Sequence, residues 1–174
     1  MGRWWTATRT ATDSVPGLGA CGTRNIARLL SLRKNPNGQV TQYVYLFAHP
    51  TQSAYPIPGD GPGAVTVGHA TEIPYVFGDV YTLEDVDGER ELARKMGTYW
   101  INFAKNGVPS SSVSDASGVE WPMFTSSNDQ VLRFDVDVKH GGNGINVQTG
   151  LRRSACDWQD QNRVPFSIPT VYRK

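Results

Sequence analysis

Residues 41–50 read TQYVYLFAHP, a run rich in aromatic and β-branched side chains that stops at a proline. That pattern predicts a buried strand. A buried strand needs neighbours on its edges and cover over its apolar faces, and it is an aggregation hazard without them. The rest of the chain must therefore supply a sheet and helices, and the sequence offers few further strands. CGTRNIARLLSLRKNPNG, from Cys21, predicts a helix, with Ile26, Leu29 and Leu30 at helical spacing, Arg28, Arg33 and Lys34 towards its end, and Asn35-Pro36-Asn37-Gly38 as the stop. DGERELARKMGTYWINFAKNG, 87–107, predicts a long helix with a stripe of Leu92, Met96, Tyr99, Trp100 and Phe103, closed by Gly107. VLRFDVDV, 131–138, alternates as a half-buried strand, HGGNG at 140–144 reads as a turn, and INVQTGL returns as a partner strand. RRSACDWQDQ, 152–161, closes with a helical turn or two.

Between these elements lie irregular stretches. Residues 50–68 hold Pro50, Pro56, Pro58, Pro62, Gly59, Gly61, Gly63 and Gly68, which predicts a long loop of the kind that often carries function. PSSSVSDASG, 109–118, is a second loop, and WPMF, 121–124, is a small aromatic patch. Residues 1–19 form no periodic element, and 162–174 read as a tail. No internal repeat appears. One strong strand, flanking helices and a later strand pair lack the repeated βα units of a complete parallel sheet, so the fold class is α/β with the sheet incomplete, the end of a larger domain.

Composition sets bounds on function. The 174 residues carry 17 basic and 16 acidic side chains, a formal net charge of +1, which argues against a dedicated nucleic-acid or anionic-membrane binder. A hydrophobic share of 39% with mean hydropathy −0.41 fits a soluble globular chain. The longest apolar run, YVYLFA, is too short for a membrane span. MGRWWTATRTATD lacks the apolar core of a signal peptide, so the expectation is no secretory leader in this sequence. The two cysteines, Cys21 and Cys156, form no CxxC or Cys/His cluster, so no zinc site is expected. Composition leaves them as two buried thiols or one long-range disulfide.

Chemistry has few carriers. The histidines are His49 at the end of the strand, His69 at the end of the long loop in GHATEIPYVFG, and His140 at the start of the glycine turn. A lone histidine is more often structural than catalytic, but one beyond the carboxyl end of an α/β strand sits where ligands bind. A serine nucleophile on a strand-to-helix elbow needs G-x-S-x-G, and the sequence has none; the serines cluster in the 110–117 loop. Cys21 before a helix is a weak candidate for a thiolate paired with His69. HGGNG is similar to the HGGG oxyanion motif of lipases, yet that loop precedes the nucleophile in chain order, and a hairpin turn accounts for the glycines. DVDGE, 85–89, lacks the further ligands of a calcium loop.

These segments, taken in order, resemble the C-terminal portion of the type-B carboxylesterases, the family that includes the cholinesterases. ACGTRNIARLLS (20–31) looks like the family's cysteine-plus-helix segment, VYLFAH (44–49) its late sheet strand, and GHATEIPYVFG the segment bearing the catalytic histidine. RELARKMGTYWINFAKNGVP resembles the long helix that follows, WPMFT the aromatic patch after it, and LRRSACDWQDQ the closing segment with its second structural cysteine. The resemblance covers residues 20–161.

The resemblance implies an α/β-hydrolase fold of which only the late strand, long helix and C-terminal strand pair are here. It places His69 as the triad general base, Glu72 as support behind it, and Cys21 with Cys156 as a disulfide. In that fold the serine, the acid and the oxyanion loop precede the histidine, so this chain would lack them and be nearly inactive alone. A small-molecule ester is the expected substrate once an N-terminal part completes the site; no metal, cofactor, nucleic acid or membrane span is expected. The other readings are a non-catalytic binding or adhesion module, a degenerate remnant, or a chain that assembles with a separately encoded half. Relatives of this family are commonly secreted, and the sequence itself assigns no compartment.

Overall fold

The computed structural model describes residues 19–35, 38–39, 41–51, 67, 70–79, 83, 88–110 and 118–161. Residues 1–18 of the non-periodic segment expected over 1–19, most of the 50–68 loop, His69, the middle of the serine-rich loop, most of DVDGE and the 162–174 tail lie outside these residues, while Gly19 begins a helix.

The elements run α1 (Gly19–Ser31), β1 (Lys34–Asn35), β2 (Gly38–Gln39), β3 (Tyr45–Phe47), α2 (Ile73–Phe77), α3 (Glu89–Asn106), β4 (Gln130–Phe134), a 3-10 turn (Val138–His140), β5 (Asn146–Thr149) and α4 (Arg153–Gln161). The main sheet has the order β3-β4-β5. β3 pairs parallel with β4 in the register Tyr45↔Leu132 and Phe47↔Phe134; β4 pairs antiparallel with β5, Leu132 opposite Val147. This is the incomplete α/β sheet that the sequence implies. The strand of 41–50 is regular only over Tyr45–Phe47, but its pairing with β4 reaches further, from Leu132 N to Val44 O at 3.0 Å and from Ala48 N to Phe134 O at 2.9 Å. The even-numbered residues of this strand turn their backbone groups to β4. The groups of Tyr45 and Phe47 face the other way, and among the described residues no strand lies on that edge.

One face of the sheet builds the core. Phe47, Leu132 and Phe134 meet Leu92, Met96 and Tyr99 of α3 and Tyr75 of α2. The expected stripe of α3 holds, except that Phe103, at its far end, is 48% exposed. Gly88 and Gly107 bracket the helix, both left-handed, and the Gly107 N–H donates to Phe103 O at 2.8 Å. Trp121 of WPMF belongs to this core, whereas Met123 is exposed. The Trp121 ring lies 5.3 Å from Trp100 and 5.5 Å from Phe134, and its indole N–H donates to Val44 O at 3.0 Å. A buried indole thus finds its partner on the strand it covers.

α1 corrects one expectation. It starts at Gly19 rather than Cys21 and ends at Ser31, leaving Lys34–Asn35 to pair with Gly38–Gln39. Its inward residues are Cys21, Arg24, Ala27 and Ser31, all buried, whereas Ile26, Leu29 and Leu32 are 44%, 56% and 70% exposed. Of the apolar stripe that marks this helix in the sequence, Ile26 and Leu29 are thus exposed in the described fold and Leu30 is half-buried. The inward face is tied by chemistry instead. Cys21 is bonded to Cys156 of α4, closing a sequence separation of 135. Arg24 reaches Asp129 at 3.1 Å and Asp157 at 2.8 Å, and Arg28 and Arg153 also lie on Asp129, which is buried. The hydrogen bond from Arg24, with the charges of Arg24 and Arg28, holds the Asp157 carboxyl below its ordinary range. Closing so long a loop stabilises the folded state by about 5 kcal/mol in the chain-entropy account.

The strand expected over 131–138 ends at Phe134. From Asp135 onward the backbone serves the glycine turn: Gly144 N donates to Val136 O at 2.8 Å and Gly142 N to Asp137 O at 3.2 Å. HGGNG is therefore the turn that returns the chain into β5. Gly141 and Gly144 are left-handed, at φ 80° and 70°. Gly142 is required for space, since a Cβ there would stand 2.0 Å from the Val136 carbonyl oxygen. Gly142→Ala must displace backbone, and its expected cost is about 2 kcal/mol, read as a lower thermal midpoint. Ala70 presents the opposite case. It holds φ 68° without being glycine, so Ala70→Gly is expected to raise stability by about 0.5 kcal/mol in the same measurement.

Candidate functional site

The carboxyl end of β3 and the start of α2 come together at one place. The chain leaves β3 through Ala48, His49, Pro50 and Thr51, and enters α2 through a turn that begins at Ala70, one residue after His69 in sequence. Ala70 and its neighbours form a turn in which Ile73 N donates to Ala70 O at 3.2 Å, and Pro74 then opens the short helix. Proline early in a helix sacrifices no hydrogen bond and presets the backbone. Gly78, left-handed at φ 63°, closes it after five residues. Left-handed Ala70 is a strained residue of the kind that gathers at functional sites.

Glu72 stands at the head of α2, half-buried, and its carboxylate faces the Tyr45 hydroxyl of β3. Burial raises the Tyr45 phenol, and the Glu72 charge adds to it. Tyr45 also lines an apolar recess of about 190 Å³ with Tyr43, Trp100, Phe103 and Trp121.

Beneath this turn runs a buried polar chain. The Tyr75 hydroxyl donates to Thr51 Oγ1 at 2.9 Å, and Thr51 donates to Glu89 Oε1 at 3.2 Å. The same carboxylate oxygen accepts from His49 Nε2 at 3.0 Å. On the far side of the ring, His49 Nδ1 lies 3.4 Å from Asp135 Oδ1, while Asp135 Oδ2 accepts from Arg133 at 2.8 Å and from Asn143 N at 3.1 Å. Tyr75 and Glu89 are fully enclosed, His49 is 4% exposed and Asp135 5%. Burial pushes the Tyr75 phenol far up; the bond to Thr51 works against this, and the Glu89 charge reinforces it. Glu89 is the first residue of α3, where the helix dipole favours a carboxylate.

His49 is thus walled in between carboxylates and cannot meet a substrate. His69 lies outside the described residues, as does the side chain of His140. Of the other residues singled out in the sequence, Cys21 and Cys156 are joined, and Glu72 stands three positions beyond His69, against Tyr45. Thr51, Tyr75, Glu89 and Asp135 carry no local signal of their role. Each is ordinary for its element, and only the fold brings them together. Among the described residues no three His, Cys, Asp or Glu side chains converge as a metal site, and no helix is long and apolar enough to cross a membrane.

Comparison with known proteins gives this geometry its setting. A model of the carboxylesterase family matches residues 7–159. The chain is 31% identical over 157 residues to an acetylcholinesterase of Electrophorus electricus, covering 86% of this chain and 21% of that protein. It is 36% identical over 107 residues to carboxylesterase 5A of Felis catus, covering 57% and 18%, and 34% identical over 103 residues to acylcarnitine hydrolase of Mus musculus, covering 57% and 17%. The chain spans about a fifth of the length of these curated relatives. A family match over most of the sequence, on a part-built α/β sheet with the Cys21–Cys156 bridge in place, makes this chain a member of the carboxylesterase family.

Proposed function

We propose that this chain is the C-terminal part of a carboxylic-ester hydrolase and that His69 is its general base. The observation that carries the reading is positional: Ala70, the next residue after His69 in sequence, opens the turn into α2, and α2 is hydrogen-bonded through Tyr75 to Thr51 just beyond the carboxyl end of β3, the end of an α/β sheet where ligands bind. The relatives are named for acetylcholine, carboxylic esters and acylcarnitine, so the substrate class is a carboxylic ester.

In this reaction His69 takes the proton of a serine hydroxyl as that oxygen attacks the ester carbonyl. It then gives the proton to the departing alcohol, leaving an acyl-serine that water hydrolyses by the same exchange. The sequence has no G-x-S-x-G, so the serine, the acidic partner and the oxyanion donors come from another portion of the fold. The exposed Ile26 and Leu29 of α1, Leu32 just after it, the exposed Ile73 and Phe77 of α2, and the open edge of β3 are surfaces for that portion to cover. Glu72 supports the turn behind His69 through its contact with Tyr45. An imidazole without a positioned nucleophile and oxyanion hole gives up most of the acceleration, so the chain alone is nearly inactive.

A short-chain nitrophenyl ester tests both halves of this reading. The chain alone is expected to be no faster than free imidazole. Joined to a family N-terminal portion that carries the serine, it is expected to turn over, and His69→Ala to lower kcat by at least about a thousandfold. Turnover by the chain alone that His69→Ala abolishes would overturn the need for another portion, and a joined enzyme indifferent to that substitution would overturn His69 as the base.

A further inference from the structure

We propose that Tyr75, Thr51, Glu89 and His49 are positioning residues that clamp both roots of the segment carrying His69 to the first turn of α3. The proposal rests on the reading of His69 as the base. One root of that segment is Thr51, just beyond β3, and the other is the turn at Ala70–Glu72 that leads into α2. The two are joined by a hydroxyl pair, Tyr75 Oη to Thr51 Oγ1 at 2.9 Å. Both are then referred to a single atom, Glu89 Oε1, which accepts from Thr51 at 3.2 Å and from His49 at 3.0 Å. Asp135, held by Arg133 and the Asn143 amide just past the end of β4, stands behind the His49 ring, 3.4 Å from Nδ1 without a hydrogen bond. Two bonds from the segment after β3 thus meet at one carboxylate of α3, and α2 joins them through Thr51.

Stability alone does not call for this arrangement. A buried carboxylate with its histidine is expensive to desolvate, and apolar side chains of equal volume fill such a space as well or better. Directional bonds provide a fixed distance between the two roots, which packing does not set as sharply. A general base must lie within hydrogen-bond reach of its proton, and a misplacement of about 1 Å can cost a hundredfold in rate. The clamp lies where such an error would otherwise enter.

The test removes single atoms. Tyr75→Phe deletes one hydroxyl, Thr51→Val replaces the relay, and Thr51→Ser retains it. Amide hydrogen exchange at Ile73, Tyr75 and Val76 is expected to rise about tenfold or more in the first two variants, with Leu92–Tyr99 of α3 unchanged. Thr51→Ser should exchange as the parent chain does. In the joined enzyme, Tyr75→Phe is expected to lower kcat by about tenfold with KM constant. Unchanged exchange at α2, or a uniform rise through α3, overturns the clamp, as does a local rise with kcat intact while His69→Ala is inactive. If His69→Ala is itself harmless, the assignment of the base fails, whatever the exchange shows.

Discussion

The parallel ladder between β3 and β4 is the constraint on which the remainder of the fold depends. Its register, Tyr45 opposite Leu132 and Phe47 opposite Phe134, joins parts of the chain that are remote in sequence. A parallel pair needs a long crossover, and α2 and α3 lie within it. The register also decides which side chains meet: Phe47 and Phe134 turn to α3, Trp121 caps them, and its indole bonds to the strand below. A slip of one residue would send the aromatic set of β3 to the opposite face and carry His49 away from Glu89. Core and buried polar chain are therefore consequences of one alignment.

Two parts of the fold are held by different physics. Beneath α3 the packing is aromatic, with ring pairs such as Tyr45–Trp100 at 5.2 Å and Tyr99–Phe134 at 5.7 Å set near edge-to-face. Around α1 and α4 the ties are a disulfide and arginines gathered on Asp129. α1 contributes only small apolar side chains fully inward, Cys21 and Ala27, because Ile26 and Leu29 are exposed. Charge and a covalent bond do the work that a second core would do in a complete domain.

What the sequence shows follows from how local each signal is. α3 is legible because its stripe repeats at helical spacing and glycine closes it. The turn at HGGNG is legible because its glycines answer to backbone angles and to one close approach. α1 is legible as a helix but not in its orientation, since periodicity identifies an apolar face without saying what that face meets. VLRFDVDV alternates beyond the true end of β4, because alternation does not reveal that Asp135 and Val136 are engaged by the turn. The disulfide follows from family resemblance and not from spacing. The chain from Tyr75 to His49 has no sequence signature, as it depends on residues from separate elements converging on one oxygen. Glu72 could be picked out only with its motif, and its contact with Tyr45 needed the strand beside it.

The bond between Cys21 and Cys156 makes most of the described fold a covalent ring, with α1 near one end and α4 near the other. A single backbone cut at any point between the two cysteines opens that ring without releasing a piece. The nicked molecule keeps its mass until the disulfide is reduced. Both products of the cut also stay at high effective concentration, so the β3–β4 ladder can reform across the break. Integrity of the backbone and integrity of the fold are thus partly separate properties in this protein.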